Sequence, residues 1–359
     1  MSKHDKMLAD VLLVHGGRLV GDGLPFTDVT EAENSLSRWD QWFPFWQERA
    51  GYYVRLAEQE LSVGRRLSAG NLYWYASMAY HYAQFLWFHD IPRREEGQRQ
   101  KQRLYCEAAP LFRPSAERFE AHHESYAIPG FLRVPPGDGP FPCVVLLGGL
   151  ESTKEESYHF ENLCLARGLA TCTFDGPGQG EFYFQSPLRP DFERFTSAVV
   201  DYLGQRSEID MERLGILGRS LGGYYAVRSA AIDHRFKACV AWGALFDLSY
   251  YDSMHGSARD GFAYVAGYQS PGDASAYLKS AIDLSDVVGS LRCPLFVLHG
   301  KNDHLIPVQQ VERLQSGASS SVKLTIDIPE DGNHCCHNIS HVVRPRMADW
   351  LAEQLGGKT

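Results

Sequence analysis

Leu214-Gly215-Ile216-Leu217-Gly218-Arg219-Ser220-Leu221-Gly222-Gly223 is the stretch that decides how this chain is read. A short apolar strand runs into a serine flanked by glycines, and residues 224–231 continue as a helix. A chain that passes from strand to helix in so few residues holds its serine on a sharp, strained bend. Side chains on either side of that bend would collide, which is why the flanking positions are glycine. G-x-S-x-G alone is a common accident, and the strand before it and helix after it make it specific. The competing reading is a Gly-rich turn that carries an incidental serine.

Working outward, short apolar strands are expected at 143–147, 170–174, 214–217, 238–242, 295–298 and 324–328, with helix-length segments between them. Continuous apolar strands with helical crossovers indicate a mostly parallel sheet covered by helices on both faces. Residues 117–124 and 126–134 read as a hairpin-like entry to it, closed by the turn Pro135-Pro136-Gly137-Asp138-Gly139-Pro140. The N-terminal third is different. It holds five of the seven tryptophans: Trp39, Trp42, Trp46, Trp74 and Trp87. Residues 71–90 lack Gly and Pro and suit a helix buried nearly all round, with a stop expected at Ile91-Pro92. Residues 36–67 read as one or two more helices. The expected organisation is an aromatic-rich helical cap over 1–115 and a catalytic domain over 116–359, with a cap-like insertion at about 249–290.

Composition narrows the class. In 359 residues, 44% hydrophobic and 22% charged content is ordinary for a globular protein with a sizeable core. A net charge of −9 argues against nucleic acid as a partner, because phosphate binding needs clustered Lys and Arg. No run approaches the ~18 apolar residues of a membrane span, and residues 9–14 are too short and broken for a signal segment. The eight cysteines include no C-x-x-C pair, and several lie in strand-like runs as small buried hydrophobes. A reduced, cytoplasmic protein is expected.

A serine hydroxyl is a weak nucleophile and needs a base. In this strand–turn–helix context the partners follow in the order Ser, acid, His. Asp303 lies after the strand 295–298 and is the expected acid; its alternative is a turn aspartate. After the last strand comes Asp331-Gly332-Asn333-His334-Cys335-Cys336-His337-Asn338, which offers two histidines. The position directly after Gly-Asn favours His334 as base, with His337 the alternative. Two histidines beside two cysteines also suggest zinc, but adjacent cysteines without a distant ligand pair complete no tetrahedral set. No metal and no cofactor are expected. An oxyanion hole needs two backbone N–H donors. Leu221 follows the serine, and Leu150 lies in the Gly148-Gly149-Leu150-Glu151 loop after an early strand. Each donor is typically worth ~3 kcal/mol.

These segments, with Phe-Asp-Gly-Pro-Gly-Gln-Gly-Glu at 174–181, resemble the 2,6-dihydroxypseudooxynicotine hydrolase family and, more distantly, the fungal yellowish-green pigment hydrolases. The resemblance implies an α/β-hydrolase core with an N-terminal helical cap, usually a homodimer. It implies cleavage of a carbon–carbon bond next to a ketone in a small aromatic or polyketide-like substrate. Read from the residues alone, the alternatives are a carboxylesterase or lactonase with the same triad, and a non-catalytic binding protein on a hydrolase scaffold. The resemblance carries the triad onto Ser220, Asp303 and His334, and the backbone donors onto Leu150 and Leu221. It also implies an additional pocket acid, for which Glu151 is the first candidate and Asp247 and Asp252 are weaker ones. A carboxylate near a helix start is the plain alternative for Glu151. Trp74 and His81 are candidates to line the pocket, though most aromatics of their region are expected to fill its own core.

Overall fold

Asp5 starts the first helix: one carboxylate oxygen accepts the Leu8 N–H at 2.9 Å and the other the Trp39 N–H at 2.7 Å. The structure, a computed structural model, describes residues 5–359. Two compact units divide at Glu117, Met1–Glu117 and Arg118–Thr359.

The first unit is helical: α1 (Lys6–Gly21), α2 (Phe26–Ser35), α3 (Trp42–Ser62), α4 (Arg66–Gln84) and α5 (Ile91–Ala108). Its tryptophans pack on one another. Trp39 stacks on Trp42 with ring centroids 5.5 Å apart, and Trp46 meets Trp42 edge-on at the same separation. The Trp42 indole is satisfied by donating to the Tyr82 carbonyl at 2.7 Å. The helix expected over 71–90 begins five residues earlier, at Arg66, and ends at Gln84. Leu86, with φ 56°, breaks it. Ile91-Pro92 is a start, not a stop. The Asp90 carboxylate accepts the Arg93 N–H at 3.2 Å, and proline suits a first turn because the N–H it lacks would have had no helical partner.

The second unit contains β1 (Glu117–His123), β2 (Tyr126–Arg133), β3 (Phe141–Leu147), β4 (Ala170–Phe174), β5 (Ile209–Arg219), β6 (Phe236–Trp242), β7 (Leu295–Leu298) and β8 (Leu324–Asp327). They form one sheet in the order β1-β2-β4-β3-β5-β6-β7-β8. β2 pairs antiparallel with β4, and every pairing from β4 to β8 is parallel. The helices are α6 (Tyr158–Ala166), α7 (Phe192–Leu203), α8 (Leu221–Ile232), α9 (Gly256–Val265), α10 (Pro271–Ala281), α11 (Gln309–Gly317) and α12 (Ser340–Leu355).

Successive side chains of a strand point to opposite faces, and β3 shows both being used. Cys143, Val145 and Leu147 enter the core built with α7 and α8, while Val144 and Leu146 enter the one built with α6 and α12. A sheet covered on both faces leaves its strand ends as the place for chemistry. In open sheets of this kind ligands bind outside the carboxyl ends of the strands. The segments after β3, β5, β7 and β8 all leave from those ends. Among the described residues no helix is long and apolar enough to cross a membrane.

Candidate active site

β5 ends at Arg219, α8 begins at Leu221, and Ser220 alone joins them with φ 58° and ψ −121°. A non-glycine residue held there stores strain, which persists only where its surroundings over-determine it. They do so here: the Ser220 N–H donates to the Trp242 carbonyl, and its own carbonyl accepts the Gly223 N–H, both at 2.7 Å. A Cβ on Gly218 would lie 1.7 Å from the Gly222 carbonyl oxygen. The turn closes only with hydrogen at that position.

His334 reaches this serine from the segment after β8. Its Nε2 is 3.1 Å from Ser220 Oγ, and its Nδ1 is 2.8 Å from Asp303 Oδ2. With the Nδ1 hydrogen on Asp303, Nε2 is left to accept the serine proton. The other Asp303 oxygen accepts the Leu305 and Ile306 N–H groups at 2.8 and 2.9 Å, so the carboxylate is fixed in its plane. Burial penalises the imidazolium, but the charge of Asp303 outweighs it, with Cys335 adding, and His334 is held above the ordinary imidazole range. Burial likewise opposes the Asp303 charge, and His334 and the backbone donors overcome that and hold the carboxyl below its ordinary range. Of the two histidines the sequence offers, His334 makes these bonds. His337 is buried, its ring 6.4 Å from that of His334 and 6.1 Å from Trp242. Cys335 and Cys336 are fully buried in left-handed backbone at φ 53° and 52°, and Cys335 Sγ lies 3.5 Å from His334 Nε2.

Gly148, Gly149 and Leu150 lead out of β3 against Ser220. A Cβ on Gly149 would stand 2.9 Å from the Arg219 carbonyl oxygen and 3.1 Å from Ser220 Cβ. Leu221 opens α8, where the first N–H groups have no intrahelical acceptor and point outward. The two segments proposed to supply oxyanion donors therefore flank Ser220. The glutamine of the 174–181 segment supports the loop: Gln179 Nε2 donates to the Gly148 carbonyl at 2.7 Å.

Several residues close to this site escape sequence reasoning. Lys154 is fully enclosed, its Nζ 2.8 Å from Asp175, 2.8 Å from Glu155 and 2.6 Å from Glu181. Arg118 grips Glu181 with two bonds of 2.8 and 3.1 Å. Burial works against the ammonium, but the three carboxylates prevail and hold Lys154 well above its ordinary range. Glu155, Asp175 and Glu181 are spaced as a metal could use them. The lysine already stands among them and supplies the positive charge. Arg219 donates to Ser152 Oγ at 2.9 Å and pairs with Glu156. The signal in the sequence is the run of charges Lys154-Glu155-Glu156, in the loop that follows Gly148-Gly149.

The remaining candidates separate. Glu151 is buried beside the candidate site, its Oε1 3.5 Å from where a Cβ of Gly261 on α9 would lie. Asp247 belongs to an ion pair with Arg313 and accepts Ser249 Oγ–H at 2.8 Å and Gln310 Nε2–H at 3.3 Å. That set of partners makes it a brace for its loop, not a pocket acid. Asp252 is exposed and tied to Ser275 at 2.7 Å and to Lys279, so it is a surface pair. Trp74 and His81 are buried on α4, where the His81 ring meets Tyr82 edge-on at 4.8 Å.

The fold and the arrangement of its strand ends define an α/β hydrolase. The profile of FrsA-like esterases matches residues 36–256, and that of the prolyl oligopeptidase family matches 191–358. The chain is 41% identical to 2,6-dihydropseudooxynicotine hydrolase of Paenarthrobacter nicotinovorans, over 96% of this chain and 92% of that one. The crystal structure of the 2,6-dihydroxy-pseudo-oxynicotine hydrolase superposes with a TM-score of 0.89, covering 96% of this chain and 97% of that chain at 41% identity. Hydrolase pyiE of Pyricularia grisea is 31% identical over 70% of this chain and 60% of its own length. The chain belongs to the FrsA-like esterase family of α/β hydrolases and is itself a hydrolase.

Proposed function

We propose that this hydrolase cleaves a carbon–carbon bond next to a ketone, in an aromatic or polyketide-like substrate, through an acyl-enzyme on Ser220. The observation that carries the nucleophile is the His334 imidazole, bonded on one side to Ser220 Oγ at 3.1 Å and on the other to Asp303 at 2.8 Å. His334 takes the serine proton as Oγ attacks the carbonyl carbon, and Asp303 stabilises the imidazolium that forms. The oxyanion is received by the N–H groups of Leu150 and Leu221. Collapse breaks the bond to the adjacent carbon, whose electron pair leaves as an enolate or phenol-type anion and is protonated by the imidazolium. Glu151, buried next to Leu150, positions that proton. Water then attacks the acyl-enzyme with His334 again as base, releasing the acid and Ser220.

The choice of bond is supported by the 41% identity to a hydrolase named for 2,6-dihydropseudooxynicotine. A second reading, an ester hydrolase with the same residues, is favoured by the match to FrsA-like esterases. The insertion helix α9 bears on either, since its Gly261 lies against Leu150, where a Cβ would stand 3.1 Å from Leu150 Cδ2.

Two measurements test this. A fluorophosphonate should label Ser220 in the wild type, and Ser220→Ala should lose both the label and about 10⁶-fold in kcat. Aryl 1,3-diketones should turn over faster than aryl esters of matched size. Esters faster by orders of magnitude would return the enzyme to the esterase reading, and turnover surviving Ser220→Ala would remove the nucleophile.

A further inference from the structure

Arg219 occupies the variable position of G-x-S-x-G, directly before the nucleophile, and its side chain is nine-tenths buried. It meets the β3 exit loop twice. Its carbonyl oxygen lies under Gly149, so close that a Cβ there would be 2.9 Å away. Its guanidinium reaches the far end of the same loop, donating to Ser152 Oγ at 2.9 Å and pairing with Glu156. The guanidinium also sits over the Trp242 ring, 5.5 Å from its centroid. Trp242 in turn accepts the Ser220 N–H through its carbonyl at 2.7 Å, and its indole donates to the Cys335 carbonyl at 2.6 Å, next to His334.

We propose that Arg219 is a positioning residue for the oxyanion hole, tying the loop that carries Leu150 to the turn that carries Ser220 and, through Trp242, to the segment that carries His334. The inference rests on the reading of Ser220 as nucleophile. A buried ion pair gives little net stability over an apolar replacement of similar volume, because desolvation cancels most of the attraction. What two buried charges do impose is one pairing geometry, since any other leaves a charge without its partner. The planar fork of arginine holds two partners and a ring face together, which a lysine ammonium cannot reproduce. A loop free to drift by about 1 Å would misplace one of the two donors, a displacement that costs on the order of 10²-fold in rate.

The test reads the hole without needing the natural substrate. Phosphonylation of Ser220 by a fluorophosphonate places a phosphoryl oxygen in the hole, and an arylboronic acid mimics the tetrahedral adduct. In Arg219→Met the phosphonylation rate constant should fall about 10²-fold. Boronate affinity should fall in parallel, with the acid limb of the pH–rate profile unmoved. Arg219→Lys should recover part of the loss. From the loop side, Ser152→Ala and Glu156→Gln should each lower the same two quantities while leaving Arg219 in place, and these variants decide the matter if Arg219→Met does not fold. Adding Glu156→Gln to Arg219→Met should cost little more, because both break one contact. Folded variants that label at the wild-type rate overturn the inference, as does a loss accompanied by a shifted acid limb, which would place the effect on His334. A wild type that does not label at Ser220 fails earlier and sinks the nucleophile assignment itself, and this inference with it.

Discussion

Two exits from the same sheet meet at Ser220 and are built by opposite means. The β5 exit is one residue long, Ser220, and is held by strain: positive φ, a glycine that admits no Cβ, and two backbone bonds of 2.7 Å. The β3 exit is a longer loop held by buried charge, with Arg219 on Glu156 and Lys154 among Glu155, Asp175 and Glu181. Strain serves where a side chain must be presented at one angle. Charge pairing serves where a longer segment, with more conformations to exclude, must lie in one place. The difference predicts different failures. The short turn should fail as a fold, and the loop should fail as a catalyst.

The largest effect is expected at the short turn. Gly218→Ala forces a Cβ against the Gly222 carbonyl and should cost about 3 kcal/mol. That is a Tm lowered by about 10 °C in calorimetry, with activity lost alongside it. A fall in activity at unchanged Tm would show the turn to be less rigid than its geometry implies. Gly149→Ala is the matching change in the loop. Its Cβ would press on the Arg219 carbonyl and Ser220 Cβ less severely than the Gly218 clash, so Tm should fall by less than in Gly218→Ala while kcat falls about 10²-fold.

The pH profile sharpens the contrast. His334 must be neutral to act as base, and Asp303 holds its pKa above the ordinary value of about 6.5, so kcat/KM should rise through an acid limb lying above that pH. Gly149→Ala should leave the limb where it is, because it touches neither His334 nor Asp303. The smallest effect is expected at Leu150→Ala, which keeps the backbone N–H; kcat should stay close to wild type. A large loss there would mean that the leucine side chain, packed toward Gly261, does more than fill space.

What could be read without coordinates follows from local chemistry. Gly218-Arg219-Ser220-Leu221-Gly222-Gly223 announces its turn because only glycine fits beside such a bend, and apolar runs with crossovers announce a parallel sheet because both faces must be buried. Ile91-Pro92 is ambiguous in sequence, because a proline signals either end of a helix, and the Asp90 cap makes it a beginning. Asp247 and Asp252, candidates for the additional acid that the family resemblance implies, are paired with Arg313 and Lys279 instead; an aspartate near a candidate site looks the same in sequence whether its partner is a substrate or a basic side chain.

The sequence by itself therefore determined the class of fold, the serine on its bend and the order of the groups behind it, because glycine, periodicity and chain order are local properties. Only the tertiary structure decided that His334 rather than His337 faces Ser220, and that Lys154 and Arg219 are buried among carboxylates. Those choices depend on which distant segments share a low-dielectric space, and charged residues far apart in the chain carry no local mark of the partner they will meet.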